Sequence, residues 1–216
     1  MIEQIFKAMA QSIIDGESED AEDLAKQAIE LGIDPLDAIN KGFVVGVDHV
    51  GELFSTGEAF LPELVMAGEA MKTAVSVLEP EMSKQGTERK LLGTVVLGTI
   101  EGDIHDIGKT LVGTMLSAAG FKVFDLGVNV PVMSMVETAR NENADIIGVS
   151  ALLTTTMTKQ RDVVEALDDM GMRPTVKIMV GGAPVTRNWA DEIGADAFSE
   201  DAVGAVAVAK QLMGIE

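Results

Sequence analysis

The 216-residue sequence predicts an α plus α/β protein: an N-terminal four-helix bundle followed by a doubly wound, five-stranded parallel sheet. Three observations predict it. Residues 1 to about 85 carry only helical periodicity, with apolar residues recurring every three or four positions. From Leu91 onward, short apolar runs alternate with helical runs, the mark of a parallel sheet covered on both faces. Between them, the polar stretch of about 79–90 contains Pro80 and Gly86 and reads as a linker. The expected domains are therefore 1–85 and 86–216.

In the helical half, Ile2, Ile5, Phe6, Met9 and Ile13 line one face of the first helix, which Gly16 ends. The second runs from Ser18 or Glu19 to Leu31, with acidic residues in its first turn where the helix dipole favours them. Asp34-Pro35 starts the third, a capping carboxylate before a proline at the first helical position. Its stripe is Leu36, Ile39, Phe43, Val47, Val50 and Phe54. The fourth spans Leu61 to Leu78, with Leu61, Leu64, Val65, Gly68, Met71, Val75 and Leu78 turned inward. Short connections suit an antiparallel bundle. Glycines such as Gly42 and Gly46 permit close helix approach.

In the second half, the expected strands are Leu91–Leu97, Lys122–Asp125, Asp145–Ser150, Val176–Val180 and Ala195–Phe198. The helices are Ile107–Ala119, Val132–Asn141, Thr156–Met170, Thr186–Ile193 and Ala202–Met213. Five such units fit the strand order 2-1-3-4-5, in which strands one, three and four are neighbours. Three distinctive loops follow those three strands and would gather at one sheet edge. They are Gly102-Asp103-Ile104-His105-Asp106-Ile107-Gly108-Lys109, Ser150-Ala151-Leu152-Leu153-Thr154-Thr155-Thr156, and Gly181-Gly182-Ala183-Pro184. A loop imidazole with a carboxylate to orient its second nitrogen is the arrangement of an axial metal ligand. A loop histidine alone is more often structural or solvated; the converging loops favour the ligand. Asp106 reads as a helix cap, and His49 as a polar residue on a helix face.

Composition narrows the function. A net charge of −19 argues against nucleic acid and anionic membrane surfaces. There is no cysteine, hence no disulfide, no thiolate nucleophile and no thiolate zinc site. Two histidines make a poor ligand set for zinc or iron. No apolar run reaches transmembrane length, so the expected location is the cytoplasm. The thirteen methionines suit a core, or a surface that meets a large flat ligand.

Asp103-x-His105-x-x-Gly108, followed after 41 residues by Ser150-x-Leu152 and after 28 more by Gly181-Gly182, resembles the cobalamin-binding signature of corrinoid proteins. In the helical half, Val50-Gly51-Glu52-Leu53-Phe54 and Phe60-Leu61-Pro62-Glu63 resemble the four-helix cap that accompanies this domain in methyltransferases. The resemblance covers nearly the whole chain. It is nearest to the corrinoid proteins of trimethylamine, betaine and other methylamine systems.

That resemblance implies a flavodoxin- or Rossmann-like cobalamin-binding domain. His105 would bind cobalt from the lower face in the base-off, His-on state, with Asp103 holding its second nitrogen and Thr156 extending the relay. Gly102, Ile104, Asp106 and Ile107 would complete the binding loop. Gly108, Ser150, Leu152, Thr154, Gly181 and Gly182 would line the path of the displaced nucleotide tail. Phe54 and Leu61 would cover the methyl-bearing face. The implied function is a methyl carrier that accepts a methyl group on cobalt(I) from a substrate-specific methyltransferase. A second methyltransferase, using tetrahydrofolate or coenzyme M, would receive it, and a reductive activating protein would restore the cofactor. A cobalamin-dependent sensor module is the alternative; the acidic chain, with no DNA-binding stretch ahead of its helices, disfavours it. A phospho-receiver would need an acceptor aspartate where strand three ends in Ser150-Ala151, and a mutase would need a substrate barrel.

Overall fold

The computed structural model describes residues 2–84 and 91–215. Two compact units result, residues 1–90 and 91–216.

In the first unit, α1 (Ile2–Ile14), α2 (Ser18–Glu30), α4 (Val44–Thr56) and α5 (Leu61–Lys84) form the bundle. Packing falls on the periodic residues: Met9, Ile13, Ile39, Phe43, Leu64, Met71 and Leu78 are wholly buried. Helix α2 lies along α5, and its buried residues Ala21, Ala25 and Ala28 are all small, which lets the two come close.

The predicted third helix differs from expectation. A short α3 (Pro35–Asp37) is capped by Asp34, whose carboxylate accepts from the Leu36 N–H at 2.7 Å. It then widens into a π-helical turn, Ala38–Phe43, before α4. Gly42 sits against Met9 here, and a Cβ on Gly46 would run into the Ala10 carbonyl. Close contact with α1 on this face accompanies the wider turn, and such turns recur at functional sites.

Two further expectations are corrected. Leu61 and Val65 are exposed rather than inward, since α5 starts at Leu61 and its buried stripe runs through Leu64, Ala67, Ala70, Met71, Ala74 and Leu78. Helix α5 also continues through Pro80 to Lys84, so the first part of the expected linker is helical. The remainder, residues 85–90, lies outside the described residues.

The second unit is a five-stranded parallel sheet in the order β2-β1-β3-β4-β5, as predicted. The strands are β1 (Thr94–Thr99), β2 (Lys122–Asp125), β3 (Ile146–Ser150), β4 (Lys177–Gly181) and β5 (Ala197–Ser199). Strand β1 starts at Thr94, later than predicted, although Leu92 and Gly93 still hydrogen-bond to Gly120 and Lys122.

Helices α6 (Ile107–Ala119) and α11 (Ala202–Leu212) pack together, and the core beside them contains Val95, Leu116, Ile146 and Met179. Helices α7 (Val132–Asn141), α9 (Gln160–Asp169) and α10 (Arg187–Ile193) pack in sequence over the core that contains Val96, Ile147, Val149, Ile178 and Val180. Adjacent strand residues thus feed opposite cores, as the pleat requires.

The predicted helix from Thr156 is two pieces, α8 (Thr154–Met157) and α9. The break frees Gln160 for the sheet. Its buried amide donates to the carbonyls of Val149 (2.9 Å) and Gly181 (3.2 Å) and accepts from the Trp189 indole N–H (3.0 Å). Among the described residues, no helix is long and apolar enough to cross a membrane.

Candidate cofactor site at the carboxyl edge of the sheet

Strand β1 does not end cleanly. Pairing with the β2 side persists through an isolated Ile100–Val130 bridge, and the Val130 N–H donates to Thr99 O at 2.9 Å. The chain then turns through Gly102, whose φ of +88° favours glycine, and drops Asp103 into the interior.

Asp103 is fully buried. One carboxylate oxygen accepts from His105 Nδ1 at 2.6 Å and its backbone N–H at 3.2 Å. The other accepts from Thr156 Oγ1 at 2.6 Å, Leu152 N at 2.8 Å and Leu153 N at 3.2 Å. Burial pushes this carboxyl up. The bonds from Thr156, His105 and the Leu152 amide outweigh it, holding the group well below the usual carboxylate range.

An ionised acceptor at 2.6 Å places a proton on Nδ1, and Nε2 has no hydrogen-bond partner among the described residues. The ring is 46% exposed, and the His105 carbonyl is held by Thr99 Oγ1 at 2.9 Å.

Asp106 stands at the N-cap position of α6 but caps no helix N–H, which corrects its expected role. Instead its carboxylate accepts from Lys109 Nζ at 2.8 Å and Thr110 Oγ1 at 3.1 Å. The Lys109 hydrogen bond holds it below its ordinary pKa, against a smaller opposing effect of burial. Lys109 is itself buried and also pairs with Asp125 at the end of β2.

The three loops do converge, with different tasks. Asp103, His105, the Leu152 amide and Thr156 form one hydrogen-bonded network. Ser150 and Gly181 are register partners in the β3–β4 ladder. Thr154 opens α8 exposed to solvent. At Gly108, a Cβ would meet nothing within 4 Å, so the start of α6 is open. Gly182 has φ +126°, and a Cβ there would run into the Ala151 carbonyl. The glycine is required by the neighbouring loop's backbone, whether or not a ligand also lies near.

Phe54 and Leu61 belong to the helical unit. Phe54 is half-buried near the end of α4; Leu61 is exposed beside Phe60, Val65 and Met66, an apolar surface at the start of α5.

Sequence reasoning missed Thr99, Lys109, Asp125 and Asn129. Lys109 carried the clearest signal, a lysine three residues after Asp106 on a helix that is otherwise uncharged.

Exposed apolar residues flank His105 in its own loop and recur in the loop after β3. Ile104 and Ile107, on either side of His105, are 75% and 78% exposed, and Leu152 and Leu153 are also exposed. Among the described residues no group of three histidine, cysteine or acidic side chains could hold a metal ion. One nitrogen donor amid exposed apolar side chains fits a metal whose other positions are already filled by a broad, apolar macrocycle. The donor set therefore fits a corrinoid.

Known proteins agree with that geometry. A B12 binding domain family matches residues 93–208, and a second family of the same description matches residues 5–79. The trimethylamine corrinoid protein of Methanosarcina barkeri is 48% identical over 213 residues, 99% of this chain and 98% of that protein. Dimethylamine corrinoid protein 2 of Methanosarcina acetivorans is 48% identical, with 98% and 97% covered. Among solved structures, the methanol:cobalamin methyltransferase complex MtaBC from M. barkeri matches with TM-score 0.87 at 31% identity, covering 98% of this chain and 80% of that one. A cobalamin-binding protein from Desulfitobacterium hafniense matches with TM-score 0.79 at 35% identity, with 95% and 97% covered. The chain belongs to the corrinoid-protein family of methyltransferase systems.

Proposed function

We propose that this chain is a corrinoid methyl carrier. It would accept a methyl group from a substrate-specific methyltransferase acting on a methylated amine or betaine. It would deliver that group to a second methyltransferase that uses tetrahydrofolate or coenzyme M. The observation that carries this reading is the His105 ring, half-exposed on a loop with Ile104 and Ile107, its Nδ1 bound to a buried ionised carboxylate.

When bound, cobalamin supplies a cobalt centre that takes up and releases a methyl group. His105 Nε2 would hold the cobalt, in the base-off, His-on state. The bond from Nδ1 to Asp103 raises the donor strength of Nε2. Thr156 steadies that carboxylate, its hydroxyl lying within reach of two acceptors, Asp103 Oδ2 at 2.6 Å and Leu153 O at 3.0 Å.

Ile104, Ile107, Leu152 and Leu153 would support the flat face of the macrocycle and exclude water. Phe54 and Leu61 would cover the opposite face. The amine substrate class rests on likeness to the trimethylamine and dimethylamine corrinoid proteins. A reductive activating protein completes the partner set, and the acidic surface would steer docking to basic faces.

The test is paramagnetic resonance of the protein loaded with hydroxocobalamin and reduced to cobalt(II). Nitrogen superhyperfine splitting should change on nitrogen-15 labelling of histidine and vanish in His105→Ala. A spectrum indistinguishable from that of free cobalamin overturns the ligand assignment.

A further inference from the structure

The last residue of β2 and the loop from it to α7 carry none of the residues assigned to the cofactor, yet together they grip both ends of the His105 loop. At the far end, Asp125 pairs with Lys109 and accepts the Gly127 N–H at 2.8 Å. At the near end stands Asn129. Its side-chain oxygen accepts the Gly102 N–H at 2.8 Å, and its own N–H donates to the Asp103 carbonyl at 2.9 Å. Asn129 has φ +53°, one of two non-glycine residues with positive φ among the described residues. Asparagine tolerates that conformation better than most residues, but it is still sparsely populated.

We infer that Asn129 is a positioning residue of the His105 site. Gly102 and Asp103 leave the end of β1 with no strand to hold them. Backbone and side chain of Asn129 together fix both peptide units. The left-handed turn at Asn129 is what presents both groups to one target. On the opposite side Gly102 faces only the Thr156 methyl group and the Lys159 ammonium, at 3.6 and 3.8 Å from where its Cβ would be. Neither accepts its N–H. Releasing Asn129 therefore leaves this backbone held by the Asp103 N–H on the Ile100 carbonyl at 3.1 Å, and the 2.6 Å contact to His105 loosens with the rest. The consequence for cobalt ligation rests on the corrinoid reading above; the clamp itself does not.

Asn129→Gly keeps the positive φ and deletes the acceptor, while Asn129→Asp keeps an acceptor in the same place. Both are examined without cofactor by amide exchange and by histidine nitrogen-15 shifts at fixed pH. In the wild type the Gly102 amide is expected to be protected; an unprotected amide overturns the inference whatever the variants do. In Asn129→Gly, Gly102 exchange should rise about tenfold, the size expected for one lost hydrogen bond. The His105 nitrogen-15 shifts should move as the Nδ1 contact to Asp103 loosens. Asn129→Asp should restore both. Unchanged Gly102 exchange and His105 shifts in Asn129→Gly overturn the role, as does a uniform rise across the α/β unit. A clamp that behaves as described in a wild-type protein that binds no hydroxocobalamin would instead overturn the proposed function and leave the clamp standing.

Discussion

Thr156 Oγ1 lies 2.6 Å from Asp103 Oδ2 across 53 positions of sequence, tying the start of the β3 crossover to the loop after β1. The hydroxyl is buried and its acceptor is charged, the setting in which one hydrogen bond is strongest. Thr156→Val keeps the shape and removes the donor. It should destabilise the α/β unit by about 2 kcal/mol, measured as a lower urea midpoint with unchanged slope, and Thr156→Ser should recover most of the loss.

Asp103 makes stability depend on acidity. Its folded pKa lies below the ordinary value, so its contribution is fully present above about pH 4 and is lost as pH falls through the folded pKa. Asp103→Asn removes that dependence. The variant should be less stable than the wild type at pH 7, and the gap should narrow towards pH 2. A constant gap across urea titrations from pH 7 to pH 2 would show that the charge contributes nothing.

Lys109 is a buried cation between two partly exposed carboxylates. Lys109→Met leaves Asp106 and Asp125 without their shared partner. The expected cost is about 2 kcal/mol, below that of a fully buried pair because water reaches both acids. Thermal unfolding of Lys109→Met beside Lys109→Arg reads it, with Arg closer to wild type.

Gly182→Ala should be the most damaging single methyl at this edge. The added Cβ meets the Ala151 carbonyl at a φ that alanine avoids, for a loss of about 3 kcal/mol or more. Gly108→Ala, with open space at the Cβ, should leave the melting temperature near that of the wild type and serves as its control.

Legibility tracked the range of the interaction. The strand order followed from alternating patterns because each unit's periodicity is local, and Asp103 and His105 share one loop. Asn129 and the partner of Lys109, Asp125, were illegible because each reaches from the β2 side to the loop after β1, where no spacing rule applies; Thr99, which holds the His105 carbonyl six residues on, reads in the sequence only as a strand residue. The π-helical turn at Ala38–Phe43 was hidden too: its apolar stripe reads as a continuous helix, and only contact with α1 distinguishes it. Exposure of Leu61 and Val65 escaped for a related reason. Apolar spacing reveals a stripe but not which of its ends stays uncovered.

The chain has one tryptophan, and its indole N–H is bound to the Gln160 amide that grips the carbonyls of Val149 in β3 and Gly181 in β4. The junction thereby carries its own optical probe. Anything that parts those two strands must disturb the indole's hydrogen bond, and the emission of unlabelled protein will report it in real time.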